Sequence, residues 1–245
     1  MITLHQFPNG KGLPNASPFC MKLESYLKAM NLPYEIVTGF DPRKSPTGKI
    51  PYVTIDKQVT ADSGLIIQKL EAESDHPMQG ILNPEQKAET CAIMRLMEEH
   101  LYWVIVYSRW IDETGFAIWK NEFQKATGLP SLIFSFLIKK IRKDVEKQLH
   151  GQGLGRHTQE QVYQMGNEDI DALSMLLSDK EFFYQDQPTL LDHCLYAHTQ
   201  SIIKMSWDYP LKQHTLNKDN LMAHSERMMA RFFPEHCQDV VKDAE

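Results

Sequence analysis

The sequence predicts an α+β chain in which a small βαβ–ββα unit precedes an all-helical domain. Strand-like and helix-like segments alternate as far as Asp75, and beyond it only helical periodicity remains. The intervening stretch 76–84 holds Pro77, Gly80 and Pro84 and reads as a linker. The expected organisation is a first domain over 1–75, a linker over 76–84 and a helical domain over 85–245.

Ile2 to Phe7 reads as the first strand and Pro8 to Asn15 as a loop. A helix begins at Ser17-Pro18, where Ser suits the N-cap and Pro the first helical position, whose N–H would lack a partner anyway. Phe19, Leu23, Tyr26, Leu27 and Met30 recur at helical spacing until Asn31-Leu32-Pro33 stops the run. Tyr34 to Thr38 is the second strand, followed by a turn-rich loop from Gly39 to Gly48. Ile50 to Ile55, the turn Asp56-Lys57 and Gln58 to Thr60 read as a hairpin. Ala61-Asp62-Ser63 then caps a helix through Leu65, Ile66, Ile67 and Leu70.

Asn83-Pro84 repeats the cap-plus-proline signature and opens a long helix through Trp103, Tyr107 and Trp110. Later helical stretches break at Gly128-Leu129-Pro130, at Gly151 to Gly155 and around Gln187-Pro188. Thr189 to Asp192 fits a capping box with a structural role.

With 42% hydrophobic and 24% charged residues, the chain has enough apolar material for a substantial core. A net charge of -6 argues against nucleic-acid binding, which draws its affinity from cations on phosphates. Cys20, Cys91, Cys194 and Cys237 are scattered, which fits neither a zinc site nor a disulfide framework and points to a reducing compartment. No charged leader and apolar run opens the chain, so a cytoplasmic protein is expected. Leu132 to Ile138 is interrupted by Ser135 and followed by Lys139, Lys140, Arg142 and Lys143. It is far shorter than the roughly 20 apolar residues that span a bilayer. A core helix with a lysine-bearing polar face is the favoured reading, and a membrane-surface helix is the other.

Three junctions carry possible chemistry. Ser17 stands at a helix N-terminus, where backbone N–H groups and the helix dipole favour an anion and a hydroxyl can donate to a thiolate. Capping alone would also explain it. Cys20, one turn later, is a second possible nucleophile, although its apolar neighbours favour a core position. At Lys49-Ile50-Pro51 a proline opening a strand implies an edge, a bulge or a cis bond. At Asp62-Ser63 a hydroxyl and free N–H groups would form a carboxylate pocket, with Asp62 available to an ammonium group. A double cap is the plain alternative there.

Two further clusters are set aside. Gly151 to Gly155 follows a helix rather than a strand, so it lacks the setting of a dinucleotide loop. His193, Cys194 and His198 do not share one helical face, and no metal site is expected.

These junctions in this order resemble the N-terminal domain of the glutathione transferases. The segment ASPFCMKLESYLKAMNLPYE is similar to the "failed axon connections" and metaxin-like branch of that family. So are LYWVIVYSRWID, GLGRHTQEQVY, DKEFFYQDQPTLLDH and ERMMARFFPEH, and the resemblance covers almost the whole chain. It implies a thioredoxin-like first domain and glutathione as co-substrate. It places Ser17 at the thiol, Ile50 against the cysteinyl main chain, Asp62 and Ser63 at the γ-glutamyl end and Lys49 near a carboxylate. Tyr107 and Trp110 would line the pocket of a small hydrophobic electrophile, and a homodimer is implied. A non-catalytic scaffolding protein of the same fold is the alternative.

Overall fold

The computed structural model describes residues 1–10, 12–39, 44–184 and 186–237. Part of the predicted loop Gly39 to Gly48, at 40–43, lies outside the described residues, as do 11, 185 and 238–245.

The first unit is a four-stranded sheet of order β2-β1-β3-β4, with β1 at Ile2–Gln6, β2 at Tyr34–Thr38, β3 at Tyr52–Ile55 and β4 at Gln58–Ala61. β1 runs parallel to β2, with Ile2 opposite Tyr34, and antiparallel to β3, with His5 opposite Tyr52. Alternate residues of β1 turn inward, burying Ile2, Leu4 and Gln6. The one polar member, Gln6, is satisfied by donating to Glu24 Oε2 at 2.7 Å. Asp56 and Lys57 both hold positive φ, which gives the tight β3–β4 hairpin its twist. Regular pairing of β3 starts at Tyr52 rather than at the expected Ile50, because Pro51 has no N–H to give the ladder.

Helices α1 (Pro18–Ala29) and α2 (Ser63–Ala72) cover the sheet, and Leu4, Leu23, Leu27, Val53 and Ile66 form its core. The linker is partly ordered by a contact with α2. Met78–Ile81 forms a 3-10 turn held by Glu71, whose carboxylate accepts the N–H groups of Met78 and Gln79 at 3.0 and 2.9 Å.

Asn83 and Gln86 exchange side-chain bonds to each other's backbone and start α3 (Pro84–Arg95). The predicted long helix is present, but a wide π turn at Leu96–Leu101 separates α3 from α4 (Tyr102–Trp110). Helices α5 (Glu113–Thr127), α6 (Ser131–Gln152), α7 (Gln159–Leu177), α8 (Leu190–Ile203), α9 (Pro210–Leu216) and α10 (Asp219–Phe232) follow. Gly115 lets α5 approach α4 closely, since a Cβ there would fall 1.9 Å from the Ser108 carbonyl oxygen. Gly151 to Gly155 closes α6 and enters a short 3-10 turn.

Helix α8 is buried at every residue and lies against both α1 and α10. Its N-terminus is organised by Asp192, to which Thr189 donates from both its backbone N–H and its hydroxyl. His193, Cys194 and His198 belong to this packing: His198 Nδ1 meets the Cys194 carbonyl at 2.9 Å, and His193 Nδ1 meets Ser25 Oγ of α1 at 2.9 Å. The two units are also joined by a buried ion pair, Lys22 Nζ to Glu98 Oε1 at 2.5 Å. Lys22 is enclosed and Glu98 only reaches the edge of the cleft, so the lysine charge is stabilised chiefly by the carboxylate.

Candidate functional site

A cleft of about 1340 Å³ opens between the sheet unit and the helical domain. Ser17, Lys49, Ile50, Pro51, Asp62 and Ser63 all line it. The three predicted junctions therefore share one wall, although up to 46 positions separate Ser17 from Ser63.

Ser17 is half-buried and occupies the N-cap position of α1, yet its side chain makes no capping bond. Its position is set by Asn15, which is fully buried. Asn15 Nδ2 donates to the Phe7 carbonyl at 2.6 Å and its Oδ1 accepts the Ser17 N–H at 3.0 Å. This Asx-type turn carries the chain from β1 into α1 and leaves the Ser17 hydroxyl at the cleft. Cys20, the alternative nucleophile, is fully buried. Burial pushes its thiol up to about 12, against the smaller pull of hydrogen bonds from the Ser17 side chain and the Phe7 backbone. A neutral, enclosed thiol is a poor nucleophile, so the Cys20 alternative fails on solvent access and ionisation alike.

The Ile50-Pro51 bond is cis, and Ile50, outside the ladder, borders the cleft. At the third junction the two residues divide their roles. Asp62 is the N-cap, its Oδ1 accepting from Gly64 N–H at 2.9 Å and Leu65 N–H at 3.1 Å. It holds φ at 75°, a conformation that disfavours a residue with a Cβ. Ser63 is the first helical residue, and its hydroxyl and N–H have no hydrogen-bond partner among the described residues. The double cap considered from sequence is thus a single cap plus an unused serine.

The opposite wall is aromatic. Trp110 borders the cleft and contacts Trp119 and Phe123 of α5, with ring centroids 6.3 and 5.8 Å away. Tyr102 and Trp103 extend the wall. Tyr107 corrects the expectation: it is buried away from the cleft, with its ring edge-on to Tyr163 of α7 at 6.1 Å. Arg109 is a lining residue that the sequence reading passed over. Nine-tenths buried, it donates from Nη1 to the Ala16 carbonyl at 2.9 Å and from Nη2 to the Ser201 carbonyl at 3.1 Å. No carboxylate pairs with it among the described residues, and burial lowers its pKa from the ordinary value. A guanidinium has five N–H donors, so each Nη keeps one more to give.

Residues 18–115 match the glutathione S-transferase N-terminal domain family, and residues 166–228 match the glutathione S-transferase C-terminal domain family. The isoprene-epoxide–glutathione S-transferase of Rhodococcus sp. (strain AD45) is 30% identical over 95% of this chain and 99% of its own length. The chain belongs to the glutathione S-transferase family. The Drosophila melanogaster protein Failed axon connections is 33% identical over 96% of this chain, which spans 59% of the fly protein's length. Human metaxin-2 is 26% identical over 88% of this chain and 82% of its own. Among solved structures, a Methylobacterium radiotolerans glutathione S-transferase in complex with glutathione sulfonate superposes with a TM-score of 0.65 at 19% identity. That match covers 96% of this chain and 93% of the other, and shows the shared fold.

In this chain Asn15 was readable as an Asx turn from its spacing to Ser17, and Trp119 with Phe123 from their i, i+4 spacing. Arg109 carried no local signal, since its partners are 93 and 92 positions away. Among the described residues, no group of three His, Cys, Asp or Glu is placed to hold a metal ion. No described helix is long and apolar enough to cross a membrane.

Proposed function

We propose that the protein transfers the thiol of glutathione to a small apolar epoxide. One observation carries this reading: Ser17 and Ser63 both stand at helix starts, neither hydroxyl caps its helix, and both border one cleft. The Ser63 hydroxyl has no partner among the described residues, and that of Ser17 meets the weakly bonding Cys20 thiol, so both can serve a ligand. Ser63 would take the γ-glutamyl carboxylate with its hydroxyl and N–H, at the positive end of the α2 dipole. Asp62 uses only Oδ1 for its cap and would take the ammonium group with Oδ2. The Ile50 backbone would pair with the cysteinyl main chain, and exposed Lys49 with the far carboxylate.

Ser17 then donates to the thiolate, which attacks an epoxide carbon. A C–S bond forms, the C–O bond breaks with its electron pair going to oxygen, and that oxygen takes a proton from solvent. The aromatic wall from Trp110 to Phe123 suits an apolar substrate, and the free Nη donors of Arg109 suit the developing alkoxide. The epoxide class is motivated by the Rhodococcus relative, which the chain matches end to end. All four cysteines are free, which supports a reducing cytoplasm, and the family's two-fold dimer is part of the reading.

Ser63→Ala is expected to weaken glutathione binding about tenfold or more, because a charge-assisted bond contributes roughly 1.5–3 kcal/mol. Folding should hardly change, since Asp62 and not Ser63 caps α2. Calorimetry and thermal melts on the two proteins check both halves. Arg109→Met is expected to lower kcat/KM for an epoxide by about tenfold while leaving the glutathione Kd within about twofold. Steady-state kinetics beside a glutathione titration separates these effects.

The likeness to Failed axon connections and metaxin-2 favours a second reading, a non-catalytic scaffold on the same fold. Unchanged glutathione affinity in Ser63→Ala, together with no turnover of any epoxide by the wild type, would put that reading first.

A further inference from the structure

Helix α6 has two unlike faces. It buries Phe134, Ile138 and Leu149 against the helical core, with Ile141 and Val145 half-buried beside them. At about 100° per residue those five side chains occupy an arc of roughly 80°. On the far side, Leu132, Ile133 and Phe136 are 80%, 57% and 79% exposed. Lys139, Lys140, Lys143 and Lys147 are exposed too and continue the same outward stripe, all within an arc of roughly 120°. The favoured sequence reading, a core helix with a polar outer face, describes only the lysine half of this surface.

Single exposed apolar residues are ordinary, but three within five positions at one end of a helix, followed by four cations on the same face, form an organised surface. Lys139, Lys140 and Lys143 make no ion pair among the described residues. Arg142, by contrast, turns inward to Glu113 and the Trp110 carbonyl. The chain as a whole carries a net charge of -6, so this cluster of cations runs against the overall charge.

We propose that the outward face of α6 docks the protein on an anionic lipid surface. Leu132, Ile133 and Phe136 enter between the headgroups, and Lys139, Lys140 and Lys143 meet the phosphates one and two turns further along. Lysine stems are long enough to keep their charge at headgroup level while the helix tip lies deeper. Self-association through this face fits less well. A two-fold interface sets each patch against its own copy, and here that would bring unpaired lysines together. A lipid surface instead offers apolar depth beneath a layer of negative charge. The inner side of α6 lines the cleft through Ile141, Val145 and Gln148, so docking sets the cleft beside the bilayer.

The test is sedimentation of the full chain with vesicles of phosphatidylcholine containing about 30% phosphatidylserine, beside pure phosphatidylcholine, at roughly 0.1 and 0.5 M salt. Binding is expected only to the anionic vesicles, and weaker at the higher salt. Lys139→Gln/Lys140→Gln/Lys143→Gln should weaken it about a hundredfold, at about fivefold per lysine. Leu132→Gln/Phe136→Gln should weaken it by tenfold or more. Both variants alter only exposed side chains, and matched melting curves confirm that they fold. Absence of wild-type binding to the anionic vesicles, or equal binding by either variant, overturns the proposal. So does concentration-dependent self-association, without vesicle binding, that Leu132→Gln/Phe136→Gln abolishes.

Discussion

Ser17→Ala is expected to lower kcat for epoxide conjugation roughly a hundredfold while moving the glutathione Kd by no more than a few-fold. The asymmetry follows from what the hydroxyl meets. Neutral glutathione thiol gains little from a hydrogen bond, whereas the thiolate and the charge it carries into the transition state gain much more. The loop geometry survives the substitution, because the Ser17 side chain does not cap α1 and the turn rests on Asn15 and the Ser17 N–H, which alanine keeps; the one bond lost inside the protein is that to the buried Cys20 thiol. Raising the pH should partly restore the rate, since more glutathione then ionises without help. Cys20→Ala is the matching control, and it should keep full turnover, as the enclosed Cys20 thiol stays protonated at neutral pH. The reverse pattern, with Ser17→Ala active and Cys20→Ala dead, would mean thiol chemistry at Cys20.

Asp192→Ala is expected to destabilise the fold by about 3–5 kcal/mol, the largest stability effect of any single change considered. Asp192 is fully buried, and four donors converge on it. Oδ2 accepts from the Thr189 N–H at 2.7 Å and the Thr189 hydroxyl at 2.8 Å. Oδ1 accepts from the Phe183 N–H at 3.1 Å and faces His224 Nε2 at 3.1 Å. Removing the carboxylate leaves these groups unsatisfied around α8, where water has no access. For a chain of this size the melting temperature should fall by roughly 10 °C. Thermal unfolding followed by circular dichroism gives the answer, and a shift within about 2 °C would show that the network is dispensable.

The legible part of this protein is the part whose causes are local. Asn83-Pro84 and Thr189 to Asp192 mark helix starts because capping groups and their partners lie within three residues of one another, and Ser17-Pro18 does so through the proline at the first helical position. The βαβ–ββα order follows from periodicity, and Pro51 stands at a strand start for the reason that it lacks a donor. The unit of local chemistry is short enough to be read along the chain.

Tertiary structure decided which side chains those elements aim at the cleft. Tyr107 and Trp110 lie three residues apart on α4, and only packing against α7 turns Tyr107 into the core while Trp110 meets α5. Asp62 and Ser63 are equally good caps as residue types. The helix begins at Ser63, which puts Asp62 at the cap position and leaves the Ser63 hydroxyl unused. Arg109 reaches Ala16 across 93 positions, and Lys22 reaches Glu98 across 76. Such pairings depend on how two units dock, a sum of many weak contacts that no short window of sequence contains. The sequence by itself determined the elements, their order and the family. The cleft, its aromatic wall and its buried cation arose only when those elements packed.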